Sequence, residues 1–349
     1  MAVDVGLARL SNDLIAGGIV AYSVAFLGFA LDAAFGEGFD KKASATAKLA
    51  AVPAQVPALV GASAADSLPP RTTPAPVVAD VAGVVAAPAS SDKFKLTRRI
   101  GALAVVCTVI GWLLEGGAIL SRGLSVHRLP WGNMYEFTMA LTFASVTAFL
   151  VLMTRQRARF LGVFLMAPVV LALGLAVLVL YVPAAPLMPA LHSYWLAIHV
   201  TAAIVASGVF IVGTAATVMF LIADRYALAS AAGKPVRFTA LARMMPDRDV
   251  LDRTAYRAYA FAFPIWTFAV IAGAIWAEYA WGHYWQWDPK ETWAFITWVV
   301  YAGYLHARAT AGWRGRKAAY IAMLGFGTIL FNFFVVNIFI SGLHSYAGV

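Results

Sequence analysis

The chain has 349 residues, of which 62% are hydrophobic and 12% charged, and its mean hydropathy is +0.77. So large an apolar surplus cannot be buried in one soluble core, which excludes a water-soluble globular protein. The formal net charge of +9 points to nucleic acid only until the basic residues are located.

Several runs exceed the roughly 18 mostly apolar residues that a helix needs to cross about 30 Å of hydrocarbon, and none shows the alternation of a barrel strand. The expected fold is therefore all-α, a polytopic integral membrane bundle of about eight transmembrane helices. The first span, 13–35, falls in an N-terminal anchor at 1–36. It lacks a short apolar region followed by a small-residue cleavage site and is read as retained. Residues 37–97 are rich in Ala, Val and Pro (Pro53, Pro57, Pro69, Pro70, Pro74, Pro76, Pro88), the composition of a disordered cytoplasmic linker. The transmembrane core, 98–349, then holds spans at 98–120, 134–154, 159–181, 194–223, 258–280, 292–311 and 318–342.

Basic residues collect in alternate loops: Arg155, Arg157 and Arg159; Arg225 through Arg257; Arg308, Arg314, Arg316 and Lys317. The positive-inside rule puts these loops, with Lys93 to Arg99, in the cytoplasm. The segments 121–133, 182–193 and 281–291 and the C-terminal tail then share the outer side. This distribution matches membrane topology, so a lipid bilayer is the expected surroundings and nucleic acid is not expected as a partner.

The outer segment 281–293 reads Trp281-Gly282-His283-Tyr284-Trp285-Gln286-Trp287-Asp288-Pro289-Lys290-Glu291-Thr292-Trp293, with four tryptophans in thirteen residues. An interfacial aromatic belt would also concentrate Trp and Tyr at a membrane surface, but belts are scattered over many helix ends. Crowded into one glycine-containing loop, the rings can lay flat aromatic surface against a large planar apolar ligand. Asp288, Pro289 and Glu291 match the N-cap, N1 and N3 positions of a capping box that starts the next span. The positive helix end would face the aromatic loop, a suitable place for an anionic ligand edge.

Six histidines are present. Neutral imidazole is a common axial ligand of heme iron. His199 lies about one turn inside the outer end of its span, on the face shared by His192 and Trp195. His344 follows the last span directly, again on the outer side. These two are the candidate pair for one heme. His306 lies thirteen residues beyond Trp293, in the cytoplasmic half of the bilayer. Two readings stay open for it: an intramembrane functional group, or a side chain that snorkels inward beside Arg308. Cys107 is the only cysteine, so the chain has neither a C-x-x-C redox pair nor a C-x-x-C-H heme-attachment segment. No Walker A sequence occurs.

The Trp281-Gly282-x-x-Trp285-x-Trp287-Asp288-Pro289-Lys290-Glu291-Thr292-Trp293 segment resembles the WWD domain of heme-handling proteins, and in particular the system II cytochrome c biogenesis family CcsA/ResC (CcsB in some bacteria). Asn133-x-Tyr135-Glu136, His199-Val200, Tyr304-x-His306-x-Arg308 and Gly342-Leu343-His344-Ser345-Tyr346 support the resemblance. It covers most of 120–349 and little of 1–97. It implies that heme b is bound, with His199 and His344 as external axial ligands of the iron beside Trp281, Trp285, Trp287, Asp288 and Trp293. It also implies an inner heme site at His306, completed by a histidine of a ResB-type membrane partner. Heme would be exported and attached by thioether bonds to the C-x-x-C-H segment of apocytochrome c, with thiol-reducing membrane proteins as possible further partners. The expected location is the bacterial plasma (inner) membrane, with the tryptophan loop and the C-terminus outside. Two other readings stay open at this point: a b-type membrane cytochrome that transfers electrons, and a heme-free membrane assembly factor or transporter.

Overall fold

The computed structural model describes residues 3–35, 91–155, 158–186, 191, 193–234 and 245–345. Most of the expected linker at 37–97 lies outside the described residues, and its last residues open the second helix. The long helices are α1 (Val5–Phe35), α2 (Ser91–Ser125), α3 (Met134–Arg155), α4 (Gly162–Leu178), α5 (Tyr194–Ala231), α6 (Arg248–Trp281), α7 (Pro289–Ala309) and α8 (Arg316–Leu330). A short 3-10 turn, Ala158–Leu161, precedes α4, and α8 runs on through a π-helical turn, Phe331–Val336, into Asn337–Phe339. No strand occurs among the described residues.

Seven of these helical segments are long and apolar enough to cross a membrane, and the chain is a multi-pass membrane protein. The exception is α7. Its 21 residues span about 31 Å, but Lys290 and Glu291 occupy its first turn and His306 and Arg308 its last. Trp and Tyr replace aliphatic side chains between them, which lowers its hydropathy without shortening it.

The first two helices show how the sequence selects its own packing. The buried positions of α1 are Ser11, Ile15, Gly18, Tyr22, Ala25 and Phe29, steps of four and three that draw one stripe down the helix. In α2 the stripe is Ala104, Thr108, Gly111, Glu115, Ala118, Arg122 and Ser125. The two stripes face each other with the helices antiparallel. Ser11 Oγ donates to the Ala118 carbonyl at 2.8 Å and the Tyr22 hydroxyl to Glu115 Oε2 at 2.6 Å. Small residues along both stripes let the backbones approach, as expected where lipid removes the hydrophobic incentive to associate. The opposite faces carry Leu103, Val106 and Leu113, each more than half exposed, which is sensible only if the surrounding solvent is hydrocarbon.

The centre of the bundle is α5, the most buried span. It crosses α3 at Gly208, where a Cβ would lie 2.8 Å from the Ser145 amide nitrogen. Toward the middle of the bundle Phe210 stacks on Tyr301 at 4.1 Å, and Tyr259 leans on Tyr301 and Tyr304 at 5.3 and 5.2 Å.

Polar contacts gather at the two ends. At one end Arg122 and Arg128 both grip Glu136, at 3.1 and 2.8 Å, and also bond the carbonyls of Val182 and Ala185. At the other, Asp224 pairs with Arg248 and Arg316 at 2.7 and 2.8 Å, and Asp252 with Arg308 at 2.8 Å. The loops that the charge pattern assigns to one side therefore do lie together, forming a tryptophan end and an arginine end.

Replacing Gly208 with Val should overpack the crossing of α3 and α5 and cost about 1–3 kcal/mol. It would be read as a lower thermal midpoint in detergent. Gly174→Ala, where an added Cβ meets nothing within 4 Å, should leave the midpoint unchanged or slightly raised.

Candidate functional site

Segments of the tryptophan end converge on one cavity of about 1380 Å³, counting its open mouth. Its walls come from α3, α5, α6, α7 and the end of α8, and are mostly apolar. Trp131, Leu191, Trp281, Trp285 and His344 bring the expected outer loops to its rim. Trp266 lies in its lining and donates its indole N–H to the Ala294 carbonyl at 3.2 Å.

The start of α7 is built as its sequence requires. Asp288 is the N-cap, Pro289 takes N1, and Asp288 and Glu291 form a reciprocal capping box. Gly282 ends α6 at φ 77°, in the left-handed region that favours glycine. Trp287 adopts a φ of 61°, a strained value for a bulky side chain. Its carbonyl accepts from Thr292 Oγ1 at 3.1 Å. The free amides at this helix end are taken: Asp288 Oδ2 accepts from Lys290 N at 3.1 Å, and Glu291 Oε2 accepts from Gln286 N and Asp288 N at 3.0 and 3.1 Å. The anion expected at the helix end is thus supplied by the chain itself.

The same Asp288 carboxylate reaches the C-terminal tail. Oδ1 accepts from Leu343 N at 2.6 Å and Oδ2 accepts from His344 Nδ1 at 2.8 Å. Gly342 makes the approach possible, since a Cβ there would lie 2.5 Å from Asp288 Oδ1. Burial lowers the pKa of His344 despite the adjacent carboxylate. Burial alone would raise that of Asp288, but the His344 ring and the Leu343 and Lys290 amides outweigh it and hold the carboxyl below its ordinary value. The pair is therefore a neutral imidazole donating through Nδ1 to a carboxylate, which assigns the ring's lone pair to Nε2.

His199 is arranged in the same way. Its Nδ1 donates to the Ala269 carbonyl at 2.8 Å, and Gly273 clears its space, as a Cβ there would lie 2.7 Å from two ring atoms. Trp276, 2% exposed, is near both histidines. Its ring lies parallel to His199 at 6.1 Å and 5.7 Å from His344, so the two imidazole centroids are at most about 12 Å apart. Trp281 closes the cluster at 4.7 Å from Trp276 and 4.9 Å from His344.

His199, His344, Trp281 and Trp285 all line the cavity. Trp287 stands at its edge, 65% exposed and perpendicular to Trp285 at 5.7 Å. Trp293 is not in the lining, and stacks on Phe331 of the π-turn at 3.9 Å. His306 is remote from the cavity, exposed in the last turn of α7 at the arginine end. Arg308 beside it is committed to Asp252 through two 2.8 Å bonds. His192 and Tyr346 lie outside the described residues. Sequence reasoning missed Trp276, Gly273, Lys290, Asn332 and Asn337. The Lys290 ammonium bonds Asn337 Oδ1.

Among the described residues no group of three or more His, Cys, Asp or Glu could hold a metal ion. Two imidazoles are too few for a tight site on a bare ion. They fit a metal that arrives in its own macrocycle and needs only axial ligands, set in an apolar slot with aromatic walls.

A sequence profile of the family described as cytochrome C assembly protein matches residues 131–344. Those limits coincide with Trp131 and His344, the first and last residues of the cavity lining. Among curated proteins, the chain is 34% identical over 277 residues to the cytochrome c biogenesis protein CcsA of Trieres chinensis, covering 72% of this chain and 89% of that protein. It is 35% identical to CcsA of Synechococcus sp. (strain JA-2-3B'a(2-13)), with 68% and 83% covered, and 33% identical to CcsA of Guillardia theta, with 72% and 88% covered.

Asp288→Ala should cost about 1 kcal/mol through the lost cap alone and release the tail. Amide hydrogen exchange of Leu343 should rise, and unchanged exchange there would show that something other than Asp288 holds the tail.

Proposed function

The chain belongs to the cytochrome C assembly protein family, and from that premise we propose that it is the heme-binding membrane subunit of a cytochrome c synthase. Its role lies in cytochrome c biogenesis. The observation that carries the finer reading is the pair His199 and His344. Both rings line one cavity and lie near one tryptophan, and each has its Nδ1 hydrogen bonded to a fixed acceptor. Such outer partners orient ligand histidines and raise their basicity.

In this reading the substrate is heme b, and His199 and His344 direct Nε2 at the iron from two sides. Trp281 and Trp285 border the porphyrin plane, and Asp288 holds His344 in the required tautomer. An apocytochrome c brings its C-x-x-C-H segment to the mouth of the cavity, near the exposed Trp287. Each cysteine S–H adds across one vinyl C=C. Sulfur bonds to the carbon nearer the ring and hydrogen goes to the outer carbon, so the addition consumes no oxidant. The histidine of the incoming segment replaces one of the chain's imidazoles, which releases the product. The protein contributes positioning, and the reactivity belongs to heme and thiols.

His306 supports a second, inner site. It is exposed on the face of α7 that also exposes Phe295, Val299 and Gly303, while among the described residues His127, His199, His283 and His344 all belong to the tryptophan end. A ResB-type membrane partner is the source we infer for the matching imidazole. Export of heme from His306 to the outer cavity, a bacterial plasma membrane location with the tryptophan end outside, and thiol-reducing membrane proteins that keep the apocytochrome cysteines reduced complete the proposal.

Cells expressing a reporter apocytochrome c provide the test. His199→Ala should abolish its covalent heme, and Gly273→Ala, which pushes a methyl group into the His199 ring, should lower it about tenfold or more. Normal covalent heme in the His199 variant would remove the reading.

A further inference from the structure

Lys290 is the second residue of α7 and lines the same cavity. Its ammonium has a neutral partner, the side-chain oxygen of Asn337. No carboxylate lies within ion-pair distance of it among the described residues. The two acids nearest in sequence are engaged elsewhere: Asp288 has both oxygens committed to Leu343, His344 and the Lys290 amide, and Glu291, also in the cavity lining, accepts the Gln286 and Asp288 amides through Oε2. A cation in a mostly apolar wall without a direct ion pair is costly; the Asp288 charge acts on it only from beyond ion-pair distance, and the chain has gone to some length to keep this one there.

The π-turn is part of that arrangement. Asn332 and Asn337 are five residues apart, which on an α-helix would point them about 140° away from each other. The i to i+5 closure of the Phe331–Val336 turn brings such positions onto one side, and both amides engage Lys290. Asn332 Nδ2 donates to the Lys290 carbonyl at 3.3 Å. Asn337 Nδ2 is anchored on the Phe333 carbonyl at 2.6 Å, which turns its oxygen toward the ammonium. The wall holds other unpartnered polar atoms, one of them an acceptor, Asn332 Oδ1. Trp131 and Trp276 line the cavity with buried indole N–H groups that have no partner among the described residues, against the general rule that buried donors are satisfied.

We propose that Lys290, steered by Asn337, is the recognition group for a carboxylate on the rim of the ligand, so that the cavity selects a porphyrin carrying free acid side chains over a neutral one. The inference rests on the heme-binding reading and adds to it the chemical class of the ligand's edge. A charge-assisted hydrogen bond inside an apolar pocket supplies discrimination of about tenfold or more.

The test compares heme b with its dimethyl ester. The full chain in detergent is titrated with each, and binding is followed by the absorption of the bis-imidazole iron. Wild type should bind the free acid about tenfold or more tightly than the ester. Lys290→Gln, which keeps a donor for Asn337 but no charge, should bind both with ester-like affinity and an unaltered spectrum, and Lys290→Arg should keep the preference. Asn337→Ala leaves the charge but not its guide, should weaken the preference, and serves if the Gln variant does not fold. Equal affinities in wild type, or an undiminished preference in Lys290→Gln or in Asn337→Ala, would overturn the assignment while leaving the histidine site intact. If wild type takes up neither porphyrin, or His199→Ala and His344→Ala leave the spectrum unchanged, the heme reading itself is lost and this proposal falls with it.

Discussion

One carboxylate ties the site together. Asp288 starts α7 as its N-cap, accepts the Leu343 amide and accepts the Nδ1 proton of His344. A helix start, a chain terminus and a ring tautomer are thus fixed by two oxygen atoms. The conditions around it follow. Pro289 has no N–H to compete for those oxygens, Gly342 leaves room for the tail to approach, and Glu291 returns the capping bond so that the preceding loop is pinned as well. The strained φ of Trp287 is tolerated because both neighbouring segments are held, by Glu291 on the Gln286 and Asp288 amides and by Thr292 on the Trp287 carbonyl. Burial withdraws the water that would otherwise compete with each of these bonds.

Lipid imposes a second constraint, since every polar atom within the spans must find its partner inside the protein. Glu115 meets it with two hydroxyls, Tyr22 on one oxygen and Thr142 on the other, each at 2.6 Å. Threonines in α3, α5 and α7 return their hydroxyls to carbonyls four residues earlier. Full charges are kept to the ends. At the tryptophan end the Arg122–Glu136–Arg128 cluster joins α2, α3 and the segment before α5, and Glu136 also accepts from Gly132 N at 2.8 Å, beside Trp131 of the cavity rim. The helices outside the family match, α1 and α2, contribute no cavity wall, but α2 carries the arginine that anchors this cluster.

Much of this was legible in the chain. The capping box at Asp288, the grouping of loops into two ends and the place of His199 and His344 at the same end all followed from short-range rules: residue types at fixed spacing, and the side on which Arg and Lys accumulate. What escaped depends on contacts between distant segments. Trp276 reads as one more aromatic near a helix end, and only the folded bundle sets it near two imidazoles. Gly273 reads as a small residue in a span, and its meaning comes from a histidine on a neighbouring helix. Lys290 sits inside the most recognisable motif of the sequence, yet its side chain is explained by a π-turn more than forty residues later, and no pattern of hydropathy announces such a turn. Trp293 shows the reverse case. It belongs to the motif by spacing, but helical periodicity turns it away from the cavity to pack on Phe331.

The positions of the histidines also constrain how the two ends communicate. His306 is at the arginine end and faces outward, whereas His199 and His344 face into the cavity at the other end. Along the contact of α5, α6 and α7 between them the bundle is filled. Phe210, Tyr259 and Tyr301 are fully buried and stacked ring on ring, Tyr304 continues the column, and Trp266 packs against Phe210 at its cavity end. Parting these rings to pass a planar macrocycle would cost the packing of several aromatic side chains at once, each of which buries a large apolar surface. In the export proposed above, a ligand moving from His306 to the cavity is therefore better served by the outside of the helices, where His306 already faces. In that proposal the partner subunit would supply a wall of the path between the sites as well as an extra ligand.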